Sequence, residues 1–465
     1  MELSRYQSVL LSKIRGQFTP DQFCARLFMD HDETVDPDNY LVMFHERFHY
    51  LQSIFTPYGQ MRWGAFRTVT GDIIEMWLRL AQELKLPRRI PAAEYLCEDG
   101  PEGEKLAKAI WLKQIPYQLY EIIEYGSYNN DLIKVLKDYD LSLPEIDLQG
   151  EKYILKGIDI LESYAKFEEA MLAEIIKGST IDEIINPDKL DKCYYSALYY
   201  FVSEVGPERL LEFPIICELA LCTPHIPLPC NRDSFEENTP SWRYVKLIKA
   251  IKDNGNLPEI DVNSYASFYA YANRVLEMSG FESIEISWES VETYVKQTDL
   301  SLDGKMLSAI KYKKEHPWML SYPMCSPEFI SSEYNQFEPY FVITRDGVLY
   351  NFDLLLPSEL ELEIHLQALC YQICGQISMY SKDVYKVLCG YTYIGANICP
   401  YLLNGQCDGH IDRESKIPEI VLDKDMNVLS GCSFELMMKT IGTSIHELSI
   451  GRIRPIGNLF TKADQ

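Results

Sequence analysis

Residues 36–56 read DPDNYLVMFHERFHYLQSIFT, and this stretch decides the fold of the N-terminal half. Asp36 is a favourable N-cap, and Pro37 suits the first turn of a helix. Apolar residues then recur every three or four positions, as on the buried face of a helix: Leu41, Phe44, Phe48 and Leu51. A helix is therefore predicted to begin near Asp36 and to end at the turn-forming sequence TPYG, residues 56–59.

Helical periodicity continues through much of the chain. Further helices are predicted over residues 153–177, 188–205, 242–252 and 262–278, and Gly178 and Gly206 are expected to end the first two. Strands are few: residues 22–29 are predicted to form one, and the segments on either side of Asp346-Gly347 are predicted to form a hairpin. The predicted fold class is mostly α, within the α+β class, with a small β component.

A segment rich in proline and turn-forming residues, TPHIPLPCNRDSFEENTPS, occupies residues 223–241. Such composition is typical of a boundary between folded units. Residues 1–222 are therefore predicted to form one domain. Residues 242–465 are predicted to form a second, mainly helical domain that contains the hairpin.

The chain is strongly acidic, because 44 Lys+Arg stand against 69 Asp+Glu and give a formal charge of −25. Such a surface repels phosphate backbones and anionic lipid, so neither nucleic-acid nor membrane binding is expected. No apolar run approaches the roughly 20 residues that span a bilayer. The 13 cysteines lack a regular framework, which is typical of free thiols in a reducing compartment. A cytoplasmic protein is predicted.

The candidate chemistry lies in His45-Glu46-Arg47-Phe48-His49, an H-E-x-x-H pattern. On a helix, His45 and His49 lie four residues apart on one face, so both imidazoles can bind the same ion. Neutral imidazole is a good ligand for zinc. Glu46 is placed to take a proton from a water that the ion activates, which is the role of a general base.

A hydrolytic zinc site needs a third protein ligand. A histidine six residues after His49 is excluded, because that position is Phe55. A glutamate from a later helix is the other common solution, and residues 161–170 read LESYAKFEEA. Here the chain resembles the gluzincin class of zinc metallopeptidases, in which a downstream helix carries a pattern like Glu-Gly-x-Ala. The match is Glu162-Ser163-Tyr164-Ala165, in which Ser163 departs from glycine.

This resemblance implies that Glu162 is the third zinc ligand and that Glu169 orients a histidine. It also implies that residues 1–222 form a zincin-like helical metallopeptidase domain. Glu168, Glu169 and Glu174 are alternative ligands in the same segment. Donors to a developing oxyanion are also needed, and four residues are candidates: Tyr164, Tyr195, Tyr199 and His225.

The predicted function is a zinc-dependent peptidase that acts on a protein or peptide, with the C-terminal half selecting or regulating the substrate. The sequence leaves the oligomeric state open. The first alternative is a non-enzymatic helical interaction protein in which the motif is accidental or inactive. A minor alternative is a di-iron carboxylate oxidase, since Glu46-x-x-His49 is half of such a site. No other histidine has a glutamate three positions before it, which disfavours this last hypothesis.

Overall fold

The structure is a computed structural model of the 465-residue chain. It describes residues 36–65, 140–225, 232–254, 257–261, 264–297 and 303–322 without a break. It also describes short pieces within 16–33, 119–136, 341–351 and 421–430.

Most of the described residues are helical, which confirms the mostly α fold class. The α-helices are α1 Pro37–Phe55, α2 Gly157–Lys177, α3 Ile181–Ile184, α4 Ser196–Val205, α5 Phe213–Ala220, α6 Arg232–Glu237, α7 Pro240–Asp253, α8 Tyr265–Met278, α9 Ile284–Gln297 and α10 Asp303–Glu315. The strands are β1 Gly16–Thr19, β2 Cys24–Leu27, β3 Glu145–Leu148, β4 Glu151–Ile154, β5 Phe341–Ile343, β6 Leu349–Asn351, β7 Val421–Leu422 and β8 Val428–Ser430. Within the described residues, no helix is both long and apolar enough to cross a bilayer.

Helix α1 begins and ends where the sequence predicts. The Asp36 side chain accepts a hydrogen bond of 2.9 Å from the backbone N–H of Asp38, as an N-cap residue does. The helix ends before Thr56, whose backbone is extended, and residues 57–65 are helical again. The apolar positions of α1 are buried, so the helix lies in the core of its unit.

Helix α2 is shorter at its start than predicted. The sequence predicts a helix over 153–177, but the first two of those residues belong to β4, which pairs antiparallel with β3. Gln149 and Gly150 join these strands with positive φ angles of 58° and 86°, which produce a tight hairpin turn. The helix ends as predicted at Gly178, whose φ is 68°.

The predicted helix over 188–205 is also divided. A 3₁₀ turn covers Lys192–Tyr194, and α4 follows and is ended by Gly206 as predicted. The two helices predicted over 242–252 and 262–278 correspond to α7 and α8, each shifted by two or three residues at its start.

A four-stranded sheet has the order β1-β2-β5-β6. The predicted strand over 22–29 corresponds to β2, and the predicted hairpin corresponds to β5 and β6, whose connecting turn lies outside the described residues. The pair β1–β2 is antiparallel and β2–β5 is parallel. Ala25, Leu27 and Met29 are buried, and Val42 and Met43 of α1 pack against them. The sheet therefore supports α1 from one side.

The contact pattern divides the chain into two compact units, and one of them contains Leu11–Ala65 and Pro116–Phe352. The described residues of the other unit form the antiparallel pair β7–β8. The predicted boundary at 223–241 differs from this division. Helix α7 after that segment packs on α4 and α5 before it, and the Tyr244 hydroxyl donates a 2.8 Å hydrogen bond to the Ala197 carbonyl.

A buried ion pair joins α5 to α10 within the same unit. Glu218 Oε1 lies 2.7 Å from Lys313 Nζ, and both side chains are almost wholly buried. The Ser321 hydroxyl donates a hydrogen bond of 2.6 Å to Glu218 Oε2. Both carboxylate oxygens therefore have a partner, as a buried charge requires.

Candidate metal centre

Helices α1 and α2 pack together and bring three side chains to one point. Nε2 of His45 lies 3.1 Å from Nε2 of His49 and 3.1 Å from Oε2 of Glu162. Nε2 of His49 lies 3.2 Å from the same carboxylate oxygen. The two histidines share a face of α1 because they are four residues apart. Glu162, which the resemblance implied as the third ligand, is the residue that α2 adds.

The spacing of these three atoms fits a metal ion. Donors placed tetrahedrally at about 2.0–2.1 Å from zinc are separated from one another by about 3.3–3.4 Å. The observed separations of 3.1 Å and 3.2 Å need to widen by only a few tenths of an ångström. The three residues therefore form a group that can hold a metal ion.

The far nitrogen of His45 faces a carboxylate of α2. Nδ1 of His45 lies 3.1 Å from Oε2 of Glu169, and Oε1 of Glu169 accepts a 2.6 Å hydrogen bond from Lys166. Glu169 is thus placed to orient His45, which is the role that the resemblance implied. Lys166 balances the charge of this carboxylate.

The far nitrogen of His49 has a neutral partner instead. Nδ1 of His49 lies 2.8 Å from Oε1 of Gln52, and Nε2 of Gln52 donates a 3.0 Å hydrogen bond to the carbonyl of Leu161. Both histidines are therefore held from outside the site, which leaves each Nε2 facing the centre.

Without a metal, the site binds a proton tightly. Burial lowers the pKa of His45, but hydrogen bonds and charge from Glu162 and Glu169 outweigh burial and raise it to about 10. Burial likewise opposes the shift of Glu162, yet the two histidines hold the pKa of its carboxyl far below the usual range. A proton on His45 therefore supplies part of the positive charge that a metal ion would bring to the site.

Glu46 follows His45 on α1, so it lies beside the three converging residues, and its side chain is buried. Burial raises the pKa of its carboxyl to about 7, although the nearby His45 and His49 oppose the shift. A carboxylate with such a pKa can both accept and release a proton near neutral pH. Gly16 of β1 covers this carboxylate so closely that a Cβ there would lie 2.5 Å from Glu46 Oε1.

The alternative glutamates on α2 point elsewhere. Glu174 is exposed to solvent. Glu168 is buried on another side of the helix, where burial and the charge of Glu218 raise its pKa well above the usual range. Glu169 contacts the outer nitrogen of His45, so Glu162 is the only one of the four whose carboxylate lies between the two Nε2 atoms.

The four candidate oxyanion donors are found in other surroundings. Tyr164 is fully buried, and its ring packs on Phe48 with 4.9 Å between centroids. Tyr195 and Tyr199 pack against each other at 5.3 Å, and His225 is exposed. Among the described residues, none of these four side chains contacts the three converging ligand atoms.

Within the described part of the chain, Tyr194 is a tyrosine whose ring lies close to the site. Its ring lies 5.9 Å from the ring of His45, measured between centroids. The negative charge of Glu162, followed by burial, raises the pKa of Tyr194, and the charge of Glu46 adds to this effect. Its hydroxyl therefore stays protonated and keeps a hydrogen that it can donate.

Ser163 connects α2 to the turn that carries Tyr194. Its hydroxyl donates a 2.9 Å hydrogen bond to the Cys193 carbonyl and accepts one of 3.3 Å from the backbone N–H of Ala197. Ser163 is the position at which this chain departs from the glycine of the gluzincin pattern. The hydroxyl thus has a clear structural role in this chain.

Sequence reasoning did not identify Gln52 or Tyr194. A signal existed for Gln52, because it follows His49 by three residues and shares its face of α1. No sequence signal existed for Tyr194, since its place depends on how the 192–194 turn packs on α2.

Comparisons with known proteins find no match to this chain among protein-family models, curated proteins or solved structures.

Proposed function

We propose that this protein is a zinc-dependent peptidase. The observation that carries the proposal is the convergence of His45, His49 and Glu162 with Glu46 beside them. Two imidazoles and one carboxylate are a common donor set of catalytic zinc, and they leave a coordination position open. The proposal includes a zincin-like fold, in which α1 rests on the sheet and α2 supplies the glutamate.

The residues of the chain have distinct roles in this reaction. A bound zinc would supply Lewis acidity and lower the pKa of water. The Glu46 carboxylate takes the proton of the attacking water and passes it to the leaving amine. Tyr194 donates a hydrogen bond to the oxyanion that develops on the substrate carbonyl.

A peptide substrate is supported by the position of β1. This strand lies at one end of the sheet order, and within the described residues it pairs only with β2. An extended peptide can pair with the outer edge of a sheet through its backbone. Gly16 of β1 lies against Glu46, so a peptide bound there would pass close to the proposed base. The proposal also includes a cytoplasmic location and substrate selection by the C-terminal half.

The test compares the parent protein with Glu46→Gln, His45→Ala and Glu174→Gln. Glu174 is an exposed glutamate of α2, so its variant is the matched control. We expect about one zinc per chain in the parent, in Glu46→Gln and in Glu174→Gln. We expect peptide hydrolysis in the parent and in Glu174→Gln, but not in Glu46→Gln.

His45→Ala is expected to lose the metal and retain helical circular dichroism. A parent protein that binds no metal would contradict the proposal and favour the non-enzymatic interaction protein. Two iron ions per chain would favour the di-iron oxidase. Zinc that remains at full occupancy in His45→Ala would show that the site is elsewhere.

A further inference from the structure

We propose that Gln52 is a positioning residue that couples the two helices of the metal site. Its amide oxygen holds His49 in the tautomer that binds metal through Nε2, and its amide nitrogen holds α2 next to Glu162. The inference rests on the proposed metal site, but its first test concerns the metal-free protein.

The hydrogen-bonding partners of Gln52 determine the orientation of its amide. The Leu161 carbonyl lies 3.0 Å from one end of the amide and can only accept a hydrogen bond. That end must therefore be the NH₂ group, and the other end, 2.8 Å from His49 Nδ1, must be the oxygen. The reversed amide would place two oxygens against each other.

The orientation of the amide in turn determines the tautomer of His49. An amide oxygen accepts but cannot donate, so Nδ1 of His49 must carry the hydrogen. A neutral imidazole with hydrogen on Nδ1 has its lone pair on Nε2. This is the atom that lies 3.1 Å from His45 and 3.2 Å from Glu162. The Leu161 carbonyl of α2 thus acts through Gln52 to direct Nε2 of His49, on α1, toward the metal site.

The second effect of Gln52 is on the position of Glu162. Leu161 directly precedes Glu162, so a hydrogen bond to the Leu161 carbonyl restrains the backbone that leads into Glu162. Gln52 is only 2% exposed, which excludes water as an easy replacement for either partner. His45 is held differently, because its outer partner Glu169 lies on α2 itself and contacts Lys166 of the same helix.

A carboxylate at position 52 would perform only one of these roles. It would still accept a hydrogen bond from His49 Nδ1, but it has no proton to donate to the Leu161 carbonyl. Gln52→Glu therefore separates tautomer control from the link between the helices. Gln52→Leu removes both.

Gln60→Leu is the matched control. Gln60 is also a buried glutamine, and its amide donates a 2.6 Å hydrogen bond to the Ile54 carbonyl. It makes no contact with the metal site in the described part of the chain. A change shared by Gln60→Leu and Gln52→Leu would therefore report the loss of a buried amide and not a role in the site.

The first measurement is whether Nδ1 of His49 carries a hydrogen in the metal-free parent, by nitrogen NMR with labelled histidine. The peak is assigned with a His49→Gln variant. We expect hydrogen on Nδ1 in the parent, in Gln52→Glu and in Gln60→Leu, and loss of this preference in Gln52→Leu. A parent in which Nδ1 of His49 carries no hydrogen would overturn the proposal, even if no variant folds.

The second measurement is zinc affinity by competition with a chromophoric chelator. Outer partners of metal ligands typically contribute about 10–100-fold in affinity, and we expect a loss of that size in Gln52→Leu. Gln60→Leu should stay within about twofold of the parent. Cobalt-substituted Gln52→Glu should show a shifted visible spectrum, because Glu162 is no longer restrained.

These results separate this inference from the proposed function. A parent that shows the Nδ1 tautomer but hydrolyses no peptide supports the role of Gln52 and refutes the peptidase. An active zinc peptidase in which Gln52→Leu keeps its zinc affinity and the tautomer of His49 refutes the role of Gln52 alone.

Discussion

A metal ion held by His45, His49 and Glu162 must displace a proton from His45, and this would make metal binding depend on pH in a measurable way. In the metal-free protein the pKa of His45 is about 10, because Glu162 and Glu169 outweigh the effect of burial. An unperturbed histidine has a pKa of about 6.5 and would compete with metal only below that pH. The experiment therefore measures metal affinity while the pH is raised from about 6.5.

The size of the effect follows from the pKa. At about pH 7, which is about three units below the pKa of His45, removing the proton from His45 costs about 4 kcal/mol. Each rise of one pH unit removes about 1.4 kcal/mol of this competition. The apparent zinc affinity should therefore rise about tenfold per pH unit, or about a hundredfold between about pH 7 and about pH 9.

Competition titrations with a chelator of known pH dependence measure this slope, and calorimetry in two buffers measures the released proton. Glu169→Gln is the control, because loss of one carboxylate lowers the pKa of His45 and should flatten the slope. An affinity that levels off just above about pH 7 in the parent would refute the reasoning.

The same pKa has a consequence for folding stability without metal. A histidine whose pKa is raised on folding contributes stability that is fully present below the unfolded pKa of about 6.5. This stability is lost as the pH rises through about 10. Thermal unfolding of metal-free protein should therefore occur at lower temperature as the pH rises from about 6.5 to about 10, and a midpoint independent of pH would contradict the prediction.

Three further predictions concern single residues. Gly16→Ala should reduce turnover and leave the zinc content unchanged, because the new Cβ would lie 2.5 Å from Glu46 Oε1; parallel assays of activity and metal on one sample decide this. Lys313→Met should lower the free energy of unfolding in urea by about 3–5 kcal/mol, because Glu218 becomes a buried charge without its ion-pair partner, and a loss below about 1 kcal/mol would count against the pair. Tyr194→Phe should lower kcat by about a hundredfold at constant zinc affinity, and an unchanged kcat would remove this hydroxyl from the mechanism.

The parts of the site that local spacing determines could be predicted from sequence. Helix α1 has a cap, a proline and an apolar period within 21 residues, and its two histidines share a face because they are four apart. The resemblance implied both Glu162 as the third ligand and Glu169 as the residue that orients a histidine. Chain spacing is enough to place the two histidines on one face of α1, whereas the pairing of α1 with Glu162 needed the resemblance.

The parts that depend on packing between distant segments could not be predicted. Tyr194 reaches His45 only because its turn packs on α2, and a tyrosine is a common residue in this chain. The start of α2 was misplaced because the 149–150 turn pairs β4 with β3, and strand pairing overrides local helical spacing. The segment 223–241 has the composition of a boundary, but α7 buries its apolar face on helices before it.

The packing of α1 against α2 also bears on how the protein is made. His49 and Glu162 are separated by 113 positions in the chain, so no short fragment contains a complete site. Closing a loop of this length costs conformational entropy that only the finished core compensates. The nascent chain has its two histidines long before it has its carboxylate, and the ion can be captured with full affinity only after α2 has docked. Under the proposed function, metal acquisition would therefore be a late step of maturation, and a bound ion would then resist the separation of α1 from α2.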